Sequence, residues 1–185
     1  MQVDKNAALY YYPQPVIPFA QSAFDSKMTI HLEDETSKLF LLEIISCGRN
    51  AHEERFQYRR FPQRYCCTGE KKLIYRDNTR YEPGKMPMEG IGLYEGFTHM
   101  ANLFLSKLCD RGDADGLDRT SELKEKIWQI LDEDSEVDGG VTRLTTGDLA
   151  LRIFGHRAQK LQQIAEKIKE IYTSCQINHK SVMNE

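Results

Sequence analysis

Apolar side chains at every second position in residues 26–81 constrain the fold of this chain more than any other feature of its sequence. Met28, Ile30 and Leu32 are separated by polar residues, which is the pattern of a strand with one buried face. Residues 39–45 are almost continuously apolar, which favours a strand covered on both faces over a helix of seven residues. This part of the chain is therefore predicted to form β-structure.

Further strands follow at short intervals. Residues 56–61 also alternate, and residues 68–70 form a turn signal between two short apolar stretches at 65–67 and 73–75. This succession of strands and turns predicts a mainly β fold with a few helices. Its periodicity is compatible with a sandwich, a barrel or a solenoid.

The N-terminal segment is rich in proline. Pro13, Pro15 and Pro18 fix their own backbone angles and lack the N–H group that a helix or a sheet ladder needs. The segment is therefore predicted to run extended beside a sheet, with its aromatic side chains buried against it.

The C-terminal half mixes helices with strands. Residues 97–109 fit either a strand or a helix. A helix is predicted to begin at a cap provided by Thr120 or Ser121 and to end before Asp138. A short strand at residues 149–154 and a second amphipathic helix then follow.

Length and composition are those of one globular domain, residues 1–185, with a β-rich part at 1–110 and a mixed part at 111–185. The formal net charge is −3, and charges of both signs are mixed along the chain. No basic stripe points to nucleic acid, and no apolar run approaches the ~18 residues of a membrane span. We therefore expect neither nucleic acid nor a membrane as a partner.

The cysteines favour a cytoplasmic protein with reduced thiols, since there are five of them and no export signal precedes them. Cys66 and Cys67 are the most metal-like pair, and His99 is a further candidate ligand. Neighbouring side chains on a strand point to opposite faces, so one ion could hardly bind both thiols. Nickel binding by the chain itself is predicted to be weak.

The sequence carries no catalytic motif. His52 and Glu53 begin like a zinc-protease motif, but the second histidine is missing. A partial calcium-loop pattern at residues 111–122 has Arg111 at its first ligand position, where a cation blocks the site. There is no glycine-rich nucleotide loop and no nucleophile elbow. We predict that the chain is not an enzyme and holds no permanent cofactor.

Three separate stretches match the pattern of one known family. Residues 12–19 match a proline-rich segment, and residues 43–49, continuing through Glu54 and Phe56, match a Gly-Arg pair followed by a Glu-x-Phe element. Residues 144–155 match a C-terminal strand with an arginine and a glycine. In this order the stretches resemble the UreD (UreH) family of urease accessory proteins. A block of strands precedes the proline-rich segment in that family, so we expect the N-terminal third of the pattern to be missing here.

The resemblance implies a two-layer, β-helical or solenoid-like stack of strands with C-terminal helices. It also implies a chaperone for urease maturation, which assembles with UreF-like and UreG-like proteins on apo-urease. Such a protein helps to deliver nickel, with the metal in transit rather than stored. On the residues alone, an unrelated structural or ligand-binding β-module is the alternative.

Charged residues inside or beside apolar strands are the remaining candidate site residues. A charge in such a place is costly unless it is paired. These residues therefore form structural ion pairs or line a partner interface or an ion path. They are Glu43, Arg49, Glu54, Asp77 and Arg152.

Overall fold

The computed structural model describes residues 1–69, 72–108 and 118–181, with side chains as far as Gln176. Nine strands, two α-helices and a 3-10 turn at Asn50–His52 lie in this part of the chain, which confirms a mainly β fold with a few helices. The elements are β1 (Gln2–Val3), β2 (Ala8–Tyr11), β3 (Ser26–Leu32), β4 (Lys38–Ser46), β5 (Phe61–Gly69), β6 (Lys72–Tyr81), β7 (His99–Leu105), α1 (Arg119–Asp132), β8 (Val137–Arg143), β9 (Leu149–Gly155) and α2 (Ala158–Ser181).

The strands form two sheets. The small sheet has the order β1-β3-β5-β6, and the large sheet has the order β2-β4-β7-β9-β8. The first five strands alternate between the sheets and pair in parallel within each one. From β6 onward each new pairing is antiparallel. A solenoid-like stack therefore stays a prediction.

The large sheet is covered on both faces, which explains the continuous apolar run of β4. Phe40 and Ile44 of β4 pack beneath the two helices on the outer face. Leu39 and Leu41 point the other way, into the space between the sheets. Burying each such side chain contributes roughly 1.5–3 kcal/mol. Neither described helix has the length and apolar character needed to cross a bilayer.

The strand predictions hold with one correction. β5 and β6 form the predicted hairpin, although Glu70 of its turn lies outside the described residues. Of the two structures predicted for residues 97–109, the described part contains a strand, β7. The predicted strand at residues 56–61 is wrong, because Phe56 has a left-handed backbone with φ of 52°. The chain therefore bends there, and β5 begins only at Phe61.

The helix predictions hold except at their ends. The N-cap of α1 is Asp118, whose carboxylate accepts the Ser121 N–H, and not Thr120 or Ser121 as predicted. Thr120 is buried, and its hydroxyl accepts the Leu108 N–H at 3.3 Å. The positions of the partial calcium loop at 111–117 lie outside the described residues.

The proline-rich segment runs extended, as predicted, and meets the large sheet where Val16 bridges to Ile45. The burial predicted for its aromatic side chains holds for Tyr10 and Tyr11, which pack against the core. It is wrong for Tyr12, Phe19 and Phe24, which are each about half exposed. The segment therefore places a row of aromatic rings on the surface.

Candidate functional site

A row of polar side chains crosses the inner face of the large sheet. Glu43 of β4 lies opposite Asn102 of β7, which lies opposite Arg152 of β9. The Arg152 Nε donates a hydrogen bond to Asn102 Oδ1 at 3.1 Å. Leu41 and Ile45 flank Glu43 on this face of β4, and both belong to the apolar core. The row therefore interrupts that core.

The small sheet supplies the other side of this layer. Asp77 of β6 has its Oδ2 at 3.7 Å from Arg152 Nη2, and the fully buried Gln63 of β5 donates to the Tyr65 hydroxyl at 2.7 Å. We call Glu43, Gln63, Asp77, Asn102 and Arg152 the polar layer. It separates two apolar clusters between the sheets.

Several atoms of the polar layer have no hydrogen-bond partner. Glu43 and Asn102 are each only 7% exposed, and each unpartnered buried polar atom costs about 1–3 kcal/mol. A layer with this cost is the kind of feature that functional sites retain. The unpartnered atoms are Glu43 Oε2, Gln63 Oε1, Asp77 Oδ2 and Asn102 Nδ2.

Burial raises the pKa of Glu43 from its ordinary value near 4.5 to about 7, and the negative charge of Asp77 adds to the rise. The Glu43 carboxyl can therefore gain or lose a proton, or exchange it for a cation, near neutral pH. The layer reaches solvent at its far end, where the Arg152 side chain is 47% exposed.

A second arrangement lies at the end of β4. Arg49 and Glu54 form an ion pair in which Arg49 Nε donates to Glu54 Oε2 at 2.8 Å. Glu54 Oε2 also accepts the Ala20 N–H at 3.1 Å, and the Arg49 guanidinium lies 4.7 Å from the centre of the Phe19 ring. We call Arg49 and Glu54 the clamp, because they hold the proline-rich segment against the large sheet.

The hydrogen bond from Arg49 is the main reason that the pKa of Glu54 falls to about 2. The clamp is therefore fully ionised at physiological pH. Gly48 makes the arrangement possible, because its φ is +137° and a Cβ there would lie 1.9 Å from the carbonyl oxygen of Glu54. The sequence Gly48-Arg49 thus brings two distant segments together.

Comparison with known proteins decides the family. A profile described as UreD urease accessory protein matches residues 1–184. The chain belongs to the UreD urease accessory protein family. Its relatives include the urease accessory protein UreH of Helicobacter acinonychis (strain Sheeba), 32% identical over 92% of this chain and 60% of the relative. The urease accessory protein UreD of Haemophilus influenzae (strain PittGG) is 27% identical over 92% of this chain and 62% of its own length. The chain thus spans about 60% of the relatives that it matches.

The three stretches that resemble the UreD family form two centres in the structure. The first two meet at the clamp, where residues 12–19 pass alongside residues 43–49. The third stretch contains β9 and so contributes Arg152 to the polar layer. Glu43 belongs to the second stretch, which therefore takes part in both centres.

The metal-ligand candidates do not come together. Cys66 is half-buried on the outer side of the small sheet, whereas Cys67 is buried on its inner side. Burial raises the pKa of the Cys67 thiol to about 12, so it is not a thiolate at neutral pH. His99 lies in the large sheet, beside the Thr98 hydroxyl at 2.8 Å, and burial lowers its pKa.

Sequence reasoning missed Asn102 and Gln63. Asn102 interrupts the apolar residues of β7 in the same way that Glu43 interrupts those of β4. A polar residue inside an apolar strand was therefore a usable signal in both cases. Gln63 carried no such signal, because its neighbours in β5 are of mixed character.

Proposed function

We propose that this chain is an accessory protein, and not an enzyme, that helps nickel to reach apo-urease in the cytoplasm as part of a complex with UreF-like and UreG-like proteins. Membership of the UreD family supports the link to urease. The polar layer supports the link to nickel, and it is the one observation that carries this part of the proposal. The same layer would be a costly defect in a purely structural sandwich.

The chemistry of the polar layer suits an ion in transit. Glu43 and Asp77 each have a carboxylate oxygen without a hydrogen-bond partner, and carboxylates are ligands for divalent cations. Among the described residues, no group of three His, Cys, Asp or Glu side chains could hold a metal ion. Two carboxylates, one of them beside the Arg152 guanidinium, and two neutral amides favour brief contact with a hydrated ion over storage.

An ion could approach the polar layer at either of its two ends. At the β9 end, the half-exposed Arg152 side chain reaches solvent beside Asp77. At the β4 end, the strand pairing along the edge of the large sheet is interrupted. β2 pairs with β4 only as far as Leu41, and the next bridge to β4 is at Ile45. Glu43 lies within this gap. We propose that nickel passes along this line between the sheets.

Replacing Glu43 with Gln and Asp77 with Asn tests the proposed path. Both changes remove a negative charge while they keep the size of the side chain. We expect urease matured with the double variant, in the presence of UreF-like and UreG-like partners, to contain little nickel and to recover little activity. The measurement is nickel per urease active site by atomic absorption, together with urease turnover.

The double variant Asp132→Asn and Glu170→Gln is the matched control, because it removes two exposed carboxylates on α1 and α2, on the helix side of the molecule. We expect it to support normal nickel loading. Equal nickel loading by both double variants, with complex assembly intact, would contradict the proposed nickel path. The proposal that the chain is part of the urease complex would still stand.

We further propose that the clamp presents the proline-rich segment to a partner of the urease complex. The segment carries Ile17 and Phe19, both about half exposed. Exposed aromatic and aliphatic residues on a segment that is already ordered are suited to binding, because little entropy remains to be lost. Arg49 and Glu54 would then act by holding this surface in place.

Glu54→Ala removes the acceptor for both the Arg49 side chain and the Ala20 N–H. We expect pull-down of the UreF-like partner and urease to fall severalfold, while the melting temperature changes little because a partly exposed ion pair contributes little to stability. Arg49→Ala should behave similarly. Glu122→Ala breaks the exposed pair with Lys126 on α1 and serves as the control. Aggregation of both clamp variants would instead assign the pair a structural role.

A further inference from the structure

The outer face of the small sheet is exposed to solvent. Both helices pack on strands of the large sheet, and the outward residues of β3, β5 and β6 are exposed or half-exposed. This outer face therefore differs from the other three sheet faces, each of which contributes side chains to a buried apolar cluster.

Cations dominate this surface. Lys27 of β3 lies opposite Arg64 of β5, and Arg76 and Arg80 of β6 lie opposite Cys66 and Pro62 of β5. Arg60 is exposed immediately before β5, on the same side as Pro62. We call Lys27, Arg60, Arg64, Arg76 and Arg80 the cationic face.

Two of these cations are neutralised within the chain. Arg64 pairs with Asp25 and Arg80 pairs with Glu82. Lys27, Arg60 and Arg76 form no ion pair with any carboxylate among the described residues, so three positive charges remain uncompensated. Since the whole chain has a formal net charge of −3, positive charge is concentrated on the one sheet face that no element of the described residues covers.

We propose that the cationic face is a docking surface for an acidic surface of a partner protein. Charge complementarity supports this occupant, because guanidinium groups bind carboxylates through two parallel hydrogen bonds and steer the approach of an acidic partner. The surface lies on the far side of the small sheet from the polar layer. The inference therefore stands independently of the nickel path.

A protein fits this face better than a nucleic acid or a lipid surface. Sheets that bind single-stranded nucleic acid carry aromatic side chains on which bases stack, and the outward positions of β3, β5 and β6 facing solvent beside the cations have none. Asp25 and Glu82 lie among the cations and would repel a continuous array of phosphates. A protein surface of mixed charge can accommodate both carboxylates.

Poly-L-glutamate serves as the probe for an acidic polypeptide surface, measured by calorimetry at low ionic strength. The variant K27Q/R60Q/R76Q removes the three uncompensated charges, and K124Q/K126Q/K167Q removes the same charge from the helices on the other side. We expect about tenfold weaker binding for the first variant, since each exposed charge pair contributes modestly, and little change for the second. Arg76→Gln alone should weaken binding about twofold.

Equal losses in both triple variants, or no loss in either, would overturn the proposal. Duplex DNA and phosphatidylserine vesicles are compared in parallel, and tighter binding of either one through the cationic face would also overturn it. Sedimentation tests a second copy of the chain as the occupant. Self-association that is lost only in K27Q/R60Q/R76Q would replace the acidic partner with that copy.

Discussion

Gly48→Ala is expected to destabilise the chain by about 3 kcal/mol or more, the largest effect of any single substitution considered for this protein. The backbone of Gly48 has a φ of +137°, a region that side chains with a Cβ rarely adopt. The added Cβ would also lie 1.9 Å from the Glu54 carbonyl oxygen. That contact is with backbone, so the loop that carries Glu54 must move, and the clamp is lost with it.

Urea denaturation of the wild type, Gly48→Ala and Gly84→Ala measures this effect. Gly84 has no heavy atom within 4 Å of an added Cβ and no left-handed backbone, so its substitution should change the free energy of unfolding by less than about 0.5 kcal/mol. Binding of the proposed UreF-like partner should fail for any Gly48→Ala protein that still folds. Wild-type stability of Gly48→Ala would disprove the close approach between Gly48 and Glu54.

Glu43 is expected to make the chain less stable as the pH rises. Its pKa is about 7 in the folded protein and near 4.5 in the unfolded chain, so the folded state binds more protons between these values. The free energy of unfolding is then highest below about pH 4.5 and falls as the pH rises to 7, by roughly 2–3 kcal/mol for this group. The physical cause is the charging of a buried carboxyl beside Asp77.

Glu43→Gln isolates this contribution, because other groups also titrate over the same interval. The difference in unfolding free energy between wild type and Glu43→Gln, measured in urea at pH 5, 6, 7 and 8, should shift in favour of the variant as the pH rises. Asp132→Asn removes an exposed carboxylate on α1 and serves as the control. For Glu43→Gln, a difference in unfolding free energy that does not change with pH would mean that folding does not bury the charged Glu43 carboxyl.

The local sequence determined the identity of most elements. The clearest patterns are the alternation in β3, the continuous apolar run of β4 and the apolar stripe of α2. Each of these patterns reflects contacts that repeat along one segment, so it can be recognised without knowledge of the neighbouring segments. The predictions were wrong where a single backbone angle or a single side-chain contact determines where an element begins. Phe56 has a left-handed backbone, so β5 begins after it and not at it. The N-cap of α1 is Asp118, which precedes the two residues that were expected to cap the helix.

The sequence also singled out the charged residues of the clamp and of the polar layer, but not how they group. Arg49 and Glu54 are near neighbours in the chain, whereas Glu43, Asp77 and Arg152 come from three strands of two different sheets. Their meeting depends on strand order and register, which are set by contacts between distant segments. Asn102 and Gln63 entered the polar layer for the same reason.

The sequence thus determined that this is a mainly β member of the UreD family with buried charge and no catalytic motif. Only the tertiary structure decided that Cys66, Cys67 and His99 lie apart, and that no described element covers the cationic outer face of the small sheet. Strand periodicity reveals which residues share a face, because that depends on the pleat alone. It does not reveal which sheet a strand joins or what covers that face, because both depend on how the sheets pack.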